Sequence, residues 1–142
     1  MWMNNQGKPQ VSLAIPAYNE GEHITEIIEK TDSVMKSFSV EYEIIVVSDG
    51  SKDETEPKAM KCSRNNVHLK VVSYSPSLGK VYAIKTGFFN AVGDSLIFMD
   101  GDLEVKPAQI KAYIAALDKG DVVIGSKIIQ THMLRPSLYE DS

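Results

Sequence analysis

Tyr42-Glu43-Ile44-Ile45-Val46-Val47-Ser48-Asp49-Gly50-Ser51 passes from an apolar, β-branched run into a polar turn within two residues. Isoleucine and valine favour strands, and an Asp-Gly-Ser sequence favours a turn. The run does not alternate polar with apolar residues, so the strand is expected to be covered on both faces, as in a parallel sheet. The same unit recurs on either side. Val11-Ser12-Leu13-Ala14-Ile15 is a short apolar run closed by Pro16. Val67–Ser73, Ser95–Met99 and Asp121–Gly125 are further strand candidates. Between them lie segments with apolar residues three or four apart. Glu22–Lys36 carries Ile24, Ile27, Ile28, Val34 and Met35, and Gly79–Ala91 carries Val81, Ile84, Phe88 and Ala91. Thr55–Cys62 is compatible with a short helix, and Pro107–Leu117 with a helix that has proline near its start. Strands separated by helices predict βαβ units and a three-layer α/β sandwich with a mostly parallel central sheet. One domain over residues 1–127 is expected, followed by a patternless tail over 128–142.

Composition narrows the function. The 142 residues are 43% hydrophobic and 24% charged, with a formal net charge of -4, which is ordinary for a globular domain. An acidic chain without a basic stripe is a poor match for nucleic acid. A phosphate-bearing small molecule would call for a metal ion or local backbone amides. Cys62 is the only cysteine, so no internal disulfide can form, and a reducing, cytoplasmic setting is expected. The first eight residues are too polar for a signal peptide, and no run reaches the roughly twenty apolar residues that span a bilayer. Peripheral attachment to the cytoplasmic face of a membrane stays compatible with this.

In open α/β sheets ligands bind beyond the carboxyl ends of the strands. Each strand here exits into a polar cluster: Pro16–Glu20, Ser48–Ser51, Ser73–Lys80, Asp100–Glu104 and Gly125–Lys127. Asp100 and Asp102 flank Gly101, directly after an apolar strand. Two carboxylates so close repel unless a cation lies between them. Mg2+ or Mn2+ would serve, since both take few protein carboxylates and leave positions for diphosphate oxygens. An exposed Asp-Gly turn accounts for the same three residues equally well. Gly79 and Lys80 put a cation and helix-start amides where a phosphate could sit; an ordinary surface lysine fits as well. Rival motifs are missing. No Gly-x-Gly-x-x-Gly follows the first strand, and Val81 stands where a Walker loop needs Ser or Thr. The three histidines lack metal-ligand spacing, and no serine lies in a nucleophile elbow.

Four segments in order, VSLAIPAYNE (11–20), IIVVSDGSKDET (44–55), GDSLIFMDGDLEVKP (93–107) and DVVIGSK (121–127), resemble the family 2 glycosyltransferases of GT-A fold. The likeness is greatest to the dolichyl-phosphate mannose synthase and polyprenyl-phosphate sugar transferase branch. It implies an inverting transferase that takes a sugar from a UDP- or GDP-sugar. The implied acceptor is a polyprenyl phosphate or a saccharide. Pro16, Ala17, Tyr18 and Glu20 would line the nucleotide pocket. Val47 and Asp49 would close the second strand, with the Asp49 carboxylate accepting a hydrogen bond from the base. Asp100 and Asp102 would hold the metal and through it the diphosphate, and Gly101 would meet the donor by its backbone. Glu104 falls where that branch has a further metal ligand, usually Gln, and Lys127 where an Arg usually approaches the phosphates. Ser48 stands in place of the first Asp of an Asp-Asp pair. In the family, acceptor-binding residues come from chain beyond the Gly-Ser-Lys/Arg motif. A non-catalytic nucleotide-sugar-binding module acting with a partner chain is the rival expectation. Nucleotidyltransferases share the layout but expect a Gly- and Arg-rich first loop, which Pro16–Glu20 is not.

Overall fold

The computed structural model describes residues 8–99, 110–112, 114, 122–124 and 127–129. In chain order the elements are β1 (Val11–Ala17), α1 (Ile24–Lys36), β2 (Tyr42–Asp49), α2 (Thr55–Arg64), β3 (Leu69–Tyr74), α3 (Lys80–Asn90), β4 (Ser95–Phe98), β5 (Val122–Ile124) and β6 (Lys127–Ile129). Residues 110–112 and 114 are helical, inside the helix expected at 107–117. The strands form one sheet in the order β3-β2-β1-β4-β5-β6. All its neighbours are parallel except β5 and β6, which run antiparallel.

The unbroken apolar strands are explained by two covered faces. Leu13, Ile15, Ile44 and Val46 pack with Ile24, Ile27, Ile28 and Met35 of α1 and Ala59 of α2. Ala14, Ile45, Val47, Leu96 and Phe98 turn the other way, towards Ala83 and Phe88 of α3. Successive strand residues therefore serve opposite layers. Side chains such as Leu13, Ile44 and Ile97 are wholly buried, each adding about 1.5–3 kcal/mol from its removal from water. α3 lies close to the sheet at Gly87, where an added Cβ would stand 3.0 Å from the Ala14 Cβ.

One expectation changes. β1 does not stop at Ile15 but runs through Pro16 to Ala17, paired with β2 as Pro16↔Val47 and Ala17↔Ser48. Proline fits because of where its missing N–H would point. Gln10 and Ala14 turn their carbonyls to the β4 side, accepting from the Ser95 and Met99 amides. By the two-residue repeat of a strand Pro16 faces the same way. There the described β1–β4 ladder has already ended, at Ala14↔Phe98. No rung is lost. Lys127–Ile129, at the boundary drawn at 127, forms β6, paired antiparallel with β5. Three residues are too short a run to register as a strand by pattern.

Candidate functional site

The strand order reverses between β1 and β4. Helices α1 and α2 cover one face while the chain moves outward to β3, and α3 covers the other face as it returns to β4. A reversal of this kind leaves a crevice at the carboxyl ends of the two central strands. Pro16 borders it.

On the β1 side, Ala17 is buried, Pro16 and Glu20 are half-buried, and Tyr18 is 50% exposed. Asn19 adopts a left-handed backbone, φ 51°, a conformation asparagine tolerates better than most residues. Its Oδ1 accepts the Lys52 amide at 2.9 Å, and its own amide donates to Ser51 Oγ at 3.1 Å. The β1 and β2 exits are thus joined.

On the β2 side, Val47 is fully buried under α3, backbone included, and offers a ligand no accessible surface. Asp49 is 6% exposed. Its carboxylate accepts from Ser77 Oγ (2.7 Å), the Leu78 amide (2.8 Å) and the Gly79 amide (3.2 Å). Burial works to raise the Asp49 pKa. Interactions with Tyr74, Leu78, Ser77 and Gly79 outweigh it and hold the pKa below the ordinary value. The Tyr74 hydroxyl is buried near the same carboxylate without meeting hydrogen-bond geometry. Burial first, and then the Asp49 charge, push its pKa up. An ionised carboxylate offers roughly four lone-pair sites, and three of Asp49's are taken by its own chain.

Gly50 makes this closeness possible. It has φ 64°, and a Cβ there would stand 2.1 Å from the Ser77 nitrogen. Gly79 precedes α3 with φ 95°, and its amide is already committed to Asp49. Lys80 is exposed at the first turn of α3. Asp100, Gly101, Asp102 and Glu104 lie outside the described residues, and Lys127 is described only as the first residue of β6. Among the described residues no group of three or more His, Cys, Asp or Glu side chains could hold a metal. The structure thus brings Pro16, Ala17, Tyr18, Glu20, Val47, Asp49, Gly79 and Lys80 to one edge.

The model for Glycosyl transferase family 2 matches residues 12–136. The chain belongs to glycosyl transferase family 2. Its GT-A fold is shared with solved structures to which it is similar. One is glucosyl-3-phosphoglycerate synthase from Mycobacterium tuberculosis in complex with Mn2+, uridine diphosphate and glucosyl-3-phosphoglycerate. It is 27% identical with TM-score 0.60, over 78% of this chain and 39% of that one. A mannosyltransferase from Pyrobaculum calidifontis in complex with GDP-Man and Mn2+ is 22% identical, TM-score 0.60, over 75% and 32%. S. aureus TarS 1–349 in complex with UDP-GlcNAc is 24% identical, TM-score 0.59, over 75% and 30%. This family 2 chain spans between about a fifth and two fifths of the length of these structures and others like them.

The sequence pattern missed Ser51, Asp53, Thr55 and Ser77, which hold the edge together. A signal was present: parallel strands in register send their exit loops out side by side, so polar residues at matching offsets after β1 and β2 must meet.

Proposed function

We propose that this family 2 domain binds the nucleoside diphosphate of a UDP- or GDP-sugar across the β1–β4 crevice and serves transfer of the sugar to an acceptor. The observation that carries this is the reversal of strand order, which gathers the motif residues after β1, β2 and β3 at one edge. Family membership and neighbours holding GDP-Man, UDP or UDP-GlcNAc support it. Pro16, Tyr18 and Glu20 receive the nucleoside in this reading, backed by the buried Ala17 and Val47. Asp49 has about one lone-pair site left for a base N–H beyond its three internal bonds. Lys80 and Lys127 serve the phosphates as cations and Gly101 as an amide, while Gly79, its amide held by Asp49, shapes the turn that presents Lys80.

Asp100, Asp102 and Glu104 would hold Mg2+ or Mn2+. The Mn2+ in two of the neighbours supports a divalent ion. When bound, such an ion offsets charge on the departing diphosphate. Inversion, a polyprenyl phosphate or saccharide acceptor, kinship with the dolichyl-phosphate mannose synthase branch, and work at the cytoplasmic face of a membrane belong to the same proposal. No described helix is long and apolar enough to cross a membrane.

Calorimetry with UDP and GDP, each with and without Mn2+, is the test. Metal-dependent binding of one nucleotide is expected, and Asp102→Ala abolishes the metal dependence. No binding of either nucleotide overturns the proposal. Because the chain spans so little of its neighbours' length, a second reading is kept: a donor-binding module whose partner chain supplies the acceptor half. Transfer by the purified chain alone excludes that reading.

A further inference from the structure

Three successive amides after β1 are committed to side chains from the loop after β2 and the first residue of α2. Asn19 N–H donates to Ser51 Oγ at 3.1 Å, Glu20 N–H to Thr55 Oγ1 at 2.8 Å and Gly21 N–H to Asp53 Oδ2 at 2.9 Å. Asp53 Oδ1 also accepts the Thr55 amide at 3.0 Å and the Thr55 hydroxyl at 2.5 Å. Lys58 Nζ donates to the Gly21 carbonyl at 2.7 Å. The two loops lie so close that a Cβ on Gly21 would stand 2.8 Å from Asp53 Oδ2.

The donors and acceptors form a directed chain. A threonine hydroxyl has one proton and two lone pairs. Thr55 gives its proton to the Asp53 carboxylate, so its lone pairs are left to accept the Glu20 amide. An ionised carboxylate only accepts, and Asp53 receives three donors. Nothing else at that position reproduces the pattern: an amide would turn an NH2 towards either Gly21 N–H or the two Thr55 donors. Thr55 is fully buried, so water cannot replace a lost partner there without rearrangement.

We propose that Asp53 and Thr55 are positioning residues for the donor-binding edge. They fix the backbone of Asn19–Gly21, and through it the placement of Tyr18 and Glu20, without touching the donor themselves. This rests on the donor-binding function proposed above. A latch that merely strengthened the fold would change stability alone, whereas a positioning latch also changes affinity.

Three variants separate the two roles. Asp53→Asn keeps shape and reverses one hydrogen-bond polarity, Thr55→Val keeps shape and removes the hydroxyl, and Thr55→Ser restores the hydroxyl. Affinity for UDP and GDP with Mn2+ is measured by calorimetry, folding by urea titration, and amide exchange by NMR. The first two variants are expected to bind nucleotide about tenfold more weakly, the scale of one buried hydrogen bond, and Thr55→Ser to stay within about threefold of the parent. The Glu20 and Gly21 amides exchange about tenfold faster in the first two, while Leu13 and Ile15 within β1 keep their protection. Parent-like affinity in folded Asp53→Asn and Thr55→Val overturns the proposal, as does unchanged exchange at Glu20 and Gly21. If the parent binds neither nucleotide, the donor-binding function falls and exchange alone judges the latch. If Asp53→Asn does not fold, Thr55→Val decides.

Discussion

Strand β2 carries a buried carboxylate near each end, and the two are tied down in different ways. At the start of the strand Glu43 accepts from Ser12 Oγ (2.5 Å) and the Val92 amide (2.7 Å) and pairs with Lys70 at 3.0 Å. Ser12 Oγ in turn accepts the Gly93 amide at 2.8 Å. These partners come from β1, β3 and the link between α3 and β4. Asp49, six residues on, is held by one hydroxyl and two backbone amides, all from the loop between β3 and α3. The first carboxylate stitches strands together. The second shapes a loop. Glu43 therefore belongs to the stability of the sheet and Asp49 to the form of its binding edge, although their chemistry is the same.

The largest expected effect is at Glu43. Glu43→Ala leaves a buried hydroxyl, a part-buried amide and one ammonium group without their acceptor, and should cost about 3 kcal/mol. Urea titration measures this, and nucleotide affinity of the folded fraction should stay at the parent value. A change in affinity would break the contrast. Gly50→Ala comes next, because the added methyl meets the Ser77 backbone in a left-handed conformation. A loss of about 2 kcal/mol is expected, together with weaker nucleotide binding by calorimetry.

Asp49→Asn turns an NH2 towards donors and should cost about 1–2 kcal/mol. It also sharpens the pH dependence. Asp49 and Asp53 both have pKa values held below the ordinary 3.8, Asp53 chiefly through the Thr55 hydroxyl. A lowered carboxyl contributes stability that is complete above its unfolded pKa and is lost as pH falls through its folded value. Urea midpoints should therefore hold steady from pH 7 to about 5 and drop below about pH 4. The drop should be shallower in Asp49→Asn. The smallest effect is expected for Lys70→Met, about 0.5 kcal/mol in the same titration, because the lysine side chain is 41% exposed and its ion pair is screened.

The order of strands and helices was legible because burial on two faces leaves a plain trace: Ile44–Val47 is apolar throughout, and Ile24, Ile27 and Ile28 keep helical spacing. The edge was legible as well, since polar residues follow each strand. What stayed hidden depends on register. Neither Asp53 nor Thr55 differs from an ordinary turn residue until the pairing Ala17↔Ser48 brings the two loops together. Asp49 could be singled out by likeness, but its three internal donors come from a loop about thirty residues away. β6 was hidden for another reason: an edge strand of three residues is held by its neighbour more than by its own composition.

Pro16 turns towards β4 a backbone nitrogen that has no hydrogen to give. Paired strands tend to zip together for as long as both have partners to offer, and the next residue of β1 that faces β4 has no donor with which to continue. A change of Pro16 to alanine would add a donor where none stands now, and the natural consequence is a seam able to run further towards the place where a ligand would enter.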